Sequence, residues 1–310
     1  MTAVDGPDPA TARRPRRWNA RVRGPRDRTW AFLLPAYGAI LAVVGIPISY
    51  SIWLSFHQWK MATFRQGVPF VGLDNYIQAI NDPGFWHSLQ VTVTLLVAAL
   101  TIEVVIGVGL AVLLDQAFRG RRTALILLLL PMFVTNVVIG LIWRILLSFD
   151  FGVVNWLLSL VGISRVAWLG DPDLAIWSLV IVDVWNTTAF VALLVLAGLA
   201  SVPDEPRQAA RVDGASSWQV FRFITLPLLR PVIFVAVVWR TVDLFRIFDV
   251  VWVLTGGGPY NATETISIYA YRQGFASFNL GFASAVSYLI ILSLLIILAI
   301  EYLLVGRRRW

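Results

Sequence analysis

The chain contains no cysteine. Disulfides, thiolate metal sites and thiol nucleophiles are thereby excluded. His57 and His87 are its only histidines, which leaves a histidine metal centre without enough ligands. Lys60 is the only lysine, and Met61 follows it. A phosphate-cradling loop needs Gly-Lys-Ser/Thr, so the chain cannot hydrolyse ATP by that route. Charge is scarce too: 14% of the 310 residues are Asp, Glu, Lys or Arg, where a soluble domain carries about a quarter. What the chain does have is apolar side chains, 58% of the total, with a mean hydropathy of +0.74. Each bilayer crossing takes about 20 mostly apolar residues, so the composition points to an all-α polytopic membrane protein. A net charge of +7 is also a nucleic-acid signature. Here the arginines gather at the ends of apolar runs, which is the membrane pattern, and no nucleic-acid partner is expected.

Six apolar runs predict six transmembrane helices, at about 30–56, 88–114, 123–147, 174–200, 230–254 and 282–305. They form one domain over 30–305, preceded by an Arg-rich tail over 1–29 and followed by a basic end over 306–310. The tail reads as a disordered cytoplasmic segment that orients the first span, with a nucleic-acid or anionic-lipid contact as the lesser alternative. Arg119, Arg121 and Arg122, then Arg207, Arg211 and Arg222, and finally Arg307 to Arg309 mark one set of loops. The alternate loops carry Asp74, Asp82, Asp150, Asp171, Asp173 and Glu264. The positive-inside rule then puts both termini in the cytoplasm, which six spans satisfy. Val153 to Val161 reads as a short interfacial helix, because Trp156, Leu157 and Leu160 share a side.

The cytoplasmic loop over about 201–229 predicts two short helices joined by a bend. Pro206 suits a first helical turn, Gln208, Ala209 and Ala210 follow, and Gly214 supplies a turn with positive φ. Asp213 is positioned to bond locally or cap the next helix. Trp218, Phe221 and Ile224 recur at spacings of three, and Pro227 and Pro231 are expected to break the pattern before the membrane. On the residues alone, this is equally an amphipathic connector packed on its own membrane domain.

The fifth span carries Arg240, Asp243, Arg246 and Asp249. Intramembrane charges cost at least about 2.5–3.5 kcal/mol each, so they face protein or water. Spaced by three on one helix, they cover half its circumference. One reading is a self-neutralising ladder of i,i+3 ion pairs. The other is a translocation path in which these groups hydrogen-bond a polyhydroxylated solute, with the aromatic faces of Phe248 and Trp252 beside them. Asp183, Trp185, Asn186, Thr187 and Thr188 form a second polar cluster in the fourth span, either helix glue or solute contact. Glu103 in the second span reads as structural. Thr255 to Pro259 is a Gly-rich turn.

The run from Gln208-Ala209-Ala210 through Asp213-Gly214-Ala215 to Ile224, Leu226 and Pro227 resembles the EAA loop of binding-protein-dependent ABC transporter permeases. Gln208 stands where that pattern has Glu. The run from Arg240 to Asp249, with Leu254 to Pro259, is similar to sugar permeases of the maltose type. The resemblance covers roughly 30–305 and implies the type I ABC importer permease fold in a bacterial plasma membrane. It implies that the loop is a coupling helix seated on an ATP-binding subunit dimer, where ATP and magnesium are held, the chain itself carrying no cofactor. It also implies a second, different permease subunit, an extracytoplasmic solute-binding protein, surrounding lipid and a carbohydrate solute, a disaccharide or oligosaccharide such as trehalose or maltose. A polyol or glycerol phosphate is the alternative solute. From other classes, the rivals are a self-sufficient secondary transporter or channel and a membrane-embedded enzyme. Clear inverted repeats and paired catalytic carboxylates are not visible in the sequence.

Overall fold

The computed structural model describes residues 29–306. The Arg-rich tail and the basic C-terminal end therefore lie outside the described residues. Two compact units meet at Tyr50 and Ser51. The boundary falls inside a helix that begins as α1 (Thr29–Ile40), passes through a π-turn at Leu41–Gly45 and continues as α2 (Ile46–Ser55).

The second unit is helical throughout. Among the described residues its extended structure amounts to an isolated bridge between His57 and Phe70. Helical folding is what the bilayer demands, since a spanning segment must satisfy every backbone group internally. After α3 (Asp74–Asn81) comes α4 (Pro83–Asp115), started by Asp82, whose carboxylate accepts from Gly84 N. α5 (Arg121–Leu129) ends at a 3-10 turn, Leu130–Phe133, and α6 (Asn136–Leu146) leaves it at a bend of 100°. α7 (Val153–Leu160) is short and shows Trp156, Leu157 and Leu160 to the exterior, as its pattern predicts. α8 (Pro172–Leu199) packs along α4 more extensively than any other pair of helices.

Five helices are long and apolar enough to cross a membrane, and the bent α5–α6 pair supplies a sixth crossing if it counts as one span. The expected third span is thus not one straight helix. Pro131 lies in the break, where it removes a backbone donor and ends the α-helical register.

The loop expected over 201–229 also departs from expectation. α9 (Asp204–Val212) is followed by the bend, but the second helix does not stop at the membrane. α10 (Ser217–Val220) runs through a π-turn at Phe221–Thr225 into α11 (Leu226–Phe245), one helix of 29 residues. Leu226 N–H reaches Phe221 O, five residues back. This wider turn carries the helix past Pro227, and Pro231 lies inside α11. Neither proline breaks it. α11 instead ends at Phe245, and α12 (Asp249–Leu254) is a separate helix. The fifth span therefore lies earlier in the chain than 230–254. α13 (Ile266–Tyr271), a π-turn at Arg272–Ala276 and α14 (Leu280–Glu301) complete the order.

The larger of two buried apolar clusters joins α3, α4, α6, α8, α11, α12, α13 and α14; the smaller joins α4, α8 and α11 around Ala111, Val195 and Leu229. Gly107 sits where α4 meets α8. A Cβ there would lie 2.8 Å from Val191 Cγ1 and 3.2 Å from the backbone nitrogen of Ala192. Gly107→Ala is therefore expected to cost about 1–3 kcal/mol through overpacking, read as a lower unfolding temperature in detergent; an unchanged temperature would show that the helix pair yields freely.

Candidate functional site

Arg240 is the centre of the polar interior. It lies on α11 and is 1% exposed. Its Nε donates to Glu103 Oε2 at 2.7 Å, and its Nη2 donates to Glu103 Oε1 at 2.8 Å and to Asp183 Oδ2 at 2.7 Å. Its Nη1 donates to Asp243. Glu103 is fully buried on α4 and also accepts from Thr187 Oγ1 at 2.8 Å. One planar guanidinium thus ties α4, α8 and α11 together, using the fork geometry that distinguishes Arg from Lys. The expected ladder exists only in part. Arg246 Nη2 is 3.6 Å from Asp243 Oδ1, but α11 has ended before Arg246, and Asp249 opens α12. The half-circumference arrangement on one helix is therefore incorrect, because it assumed a helix running on to 254. Arg240's main partners come from other helices, and Glu103 has the structural role its burial suggested.

Beside this cluster is an open cavity of about 330 Å³ lined by Asn136, Asp183, Asn186, Thr187, Asp243, Arg246, Ile247, Phe248, Asp249 and Val250. A smaller space of about 170 Å³ shares Asn136, Asn186, Thr187 and Asp243 with it and adds Met132, Val134, Phe190, Trp239 and Arg240. Of the residues expected on the path, Asp183, Asn186, Thr187, Arg240, Asp243, Arg246, Phe248 and Asp249 meet here, and Thr188 does not. Trp185 and Trp252 line neither space. Trp185 packs edge-on to Trp143 with ring centroids 5.6 Å apart. Trp252 stacks on Phe248 at 5.7 Å and meets Tyr271 at 5.0 Å, and Tyr271 stacks in turn on Phe275. The sequence reading missed Asn136, whose Oδ1 lies 3.5 Å from Asn186 Nδ2. Its signal was the Pro131 break followed by Thr135-Asn136, a helix-start pattern inside an apolar run.

Between α9 and α10, Gly214 adopts φ +84°. Ala215 N–H bonds to Ala210 O at 2.9 Å and Gly214 N–H to Arg211 O at 3.1 Å. This closes the helix as a Schellman motif with glycine at C′. Asp213 does not cap the next helix. Ser216 does, in a reciprocal capping box with Gln219 that the S-x-x-Q spacing would have revealed. Gln208, Ala209 and Asp213 are exposed, whereas Ala210, Ala215, Ile224, Leu226 and Pro227 are half-buried. Val212, Trp218 and Phe223 present large apolar surfaces outward. Arg207 ties the segment to the ends of two spans, through Asp115 at 3.5 Å and Leu199 O at 3.4 Å.

Outside the spanning helices, Tyr269 Oη donates to Asp82 Oδ2 at 2.6 Å. Burial first, then the Asp82 contact, push its phenol above the ordinary tyrosine range, so it keeps its proton.

A bundle of membrane-crossing helices with a polar interior, carrying an outward-facing apolar bend between two of its spans, is the build of a membrane transport subunit. The chain belongs to the family described as "Binding-protein-dependent transport system inner membrane component", whose profile matches residues 103–309. It is 39% identical over 282 residues to the "Trehalose/maltose transport system permease protein MalF" of Thermococcus litoralis, covering 90% of this chain and 94% of that protein. It is 39% identical over 266 residues to the "Trehalose transport system permease protein SugA" of Mycobacterium tuberculosis, covering 85% and 84%. Among solved structures it is similar to a bacterial ABC transporter involved in importing the acidic polysaccharide alginate. The TM-score is 0.79 at 26% identity, over 91% of this chain and 96% of that one. The fold is accordingly that of an ABC importer permease, a multi-pass inner-membrane protein.

Proposed function

We propose that this chain is one of two different permease subunits of an ATP-driven carbohydrate importer, and that it forms half of the path for a disaccharide such as trehalose or maltose. The observation that carries the reading is the polar cavity at the outer end of a helix that begins in the cytoplasmic segment. The Thermococcus and Mycobacterium relatives, each 39% identical, are named as trehalose/maltose and trehalose permeases, which supports the choice of solute. Trehalose and maltose are uncharged and rich in hydroxyls, and the cavity offers amide and carboxylate partners for them.

The segment from Gln208 to Pro227 is the contact for an ATP-binding subunit. Its exposed Val212, Trp218 and Phe223 supply the apolar surface such a contact buries, and Gly214 fixes the angle between α9 and α10. ATP and magnesium belong to that partner. A solute-binding protein delivers the sugar from the extracytoplasmic side, and both termini of this chain lie in the cytoplasm.

Purification of the tagged protein in mild detergent, with mass spectrometry of what accompanies it, tests this. Recovery of an ATP-binding subunit and a second permease is expected. The ATP-binding subunit should be lost when Trp218 and Phe223 are both changed to serine. A homo-oligomer free of any ATP-binding subunit would overturn the reading.

A further inference from the structure

Arg240 has little left to offer a ligand. Its Nε, Nη1 and Nη2 are all engaged by Glu103, Asp183 and Asp243, and its side chain is 2% exposed. Arg240 borders the smaller space, and Arg246 is the cation that lines the larger cavity, 3.6 Å from Asp243 with its side chain 74% exposed. Against these two cations stand four carboxylates. Asp183, Asp243 and Asp249 line the cavity, and Glu103 stands directly behind Arg240. The formal balance is two negative charges in excess.

Asn186 points to what the cavity does accept. It is 8% exposed, it lines both spaces, and its Oδ1 is buried without a hydrogen-bond partner. A buried acceptor left unpaired is costly, and a hydroxyl in the cavity satisfies it. Asn136 Oδ1 and the outer carboxylates add further acceptors. The lining is therefore rich in acceptors and poor in available cations. That suits a ligand which donates many hydrogen bonds and carries no negative charge.

We infer that the cavity admits uncharged polyhydroxylated solutes and rejects sugars bearing phosphate, sulfonate or carboxylate, so that the permease selects against acids independently of any delivering protein. The inference rests on the carbohydrate-import reading above. It removes glycerol phosphate from the candidate solutes, because Arg240 is committed to carboxylates and the exposed Arg246 shares the cavity with three aspartates. It also separates this chain from the similar importer of acidic alginate.

The test uses the assembled permease and ATP-binding complex in nanodiscs without a solute-binding protein. Saturation-transfer NMR at millimolar ligand compares trehalose and maltose with trehalose 6-phosphate and maltobionate. The neutral sugars are expected to bind at least about tenfold better than their acidic counterparts. In Asp243→Asn with Asp249→Asn, Arg240 keeps Glu103 and Asp183, and the ratio is expected to fall to about threefold or less. Equal binding of neutral and acidic sugars by the unaltered complex would overturn the inference, as would a ratio that the double variant leaves unchanged. Neither result touches the import reading. That reading fails separately if the complete importer, reconstituted with its solute-binding protein, takes up no sugar of any kind.

Discussion

Replacing Arg240 with methionine is expected to reduce the yield of monodisperse protein sharply and to destabilise what remains by about 3–5 kcal/mol, the usual cost of removing one member of a buried ion pair. The cause is what is left behind. Glu103 and Asp183 are 0% and 6% exposed, and without the guanidinium both stand in the protein interior uncompensated. Arg240→Lys is expected to fall between the two, since a single ammonium cannot span donors from α4 to α8 in a fixed plane. The decisive variant combines Arg240→Met with Glu103→Gln and Asp183→Asn. It should recover most of the lost stability, because the amides can bond to one another and to Thr187. Size-exclusion profiles and thermal unfolding in detergent read all four proteins. If Arg240→Met alone is as stable as the unaltered chain, the three-helix tie contributes nothing.

Replacing Gly214 with valine is expected to lower sugar uptake by tenfold or more while leaving insertion and yield unchanged. A β-branched residue at φ +84° is a genuine outlier, and it would force the Schellman turn open. No heavy atom lies within 4 Å of a Cβ built there, so the effect comes from the backbone and not from crowding. Gly214→Asn provides the control, because asparagine visits the left-handed region far more readily. It should keep at least about half of the uptake. Equal uptake by Gly214→Val and the unaltered protein, measured in proteoliposomes with the full assembly, would show that the bend does not govern coupling.

The long apolar runs were readable because bilayer thickness fixes their length, and α4, α8 and α14 lie within a few residues of where those runs put them. The bend at Gly214 was readable because glycine is the residue that stops a helix in the left-handed region. Other features were not. Pro227 and Pro231 look like breakers to a local reading, which cannot see that one π-turn absorbs the first and that a transmembrane helix tolerates the second. The α5–α6 bend was hidden for a related reason. Its apolar character continues unbroken across Leu130 to Val134, so hydropathy gives no edge, and Pro131 with the Thr135-Asn136 pair after it was the local sign. The partners of Arg240 lay further out of reach. Glu103 is 137 residues away in sequence and Asp183 is 57, and an i,i+3 pattern offered a nearer explanation that was only partly right. Asp243 and Arg246 do meet, yet the helix that would have carried the pattern on to Asp249 ends first.

The unbroken run from Ser217 to Phe245 turns the chain's bend at Gly214 and its buried arginine into opposite ends of one lever. At 1.5 Å per residue, Arg240 stands roughly 35 Å from the start of α10. A tilt of about 10° around that start displaces the arginine sideways by about 6 Å, more than the length of a hydrogen bond. The carboxylates of Glu103 and Asp183 ride on other helices and do not share that swing. Any rocking of this rod must therefore either carry α4 and α8 along with it or pull the guanidinium away from them. The three spans move as a single block, or the cluster opens.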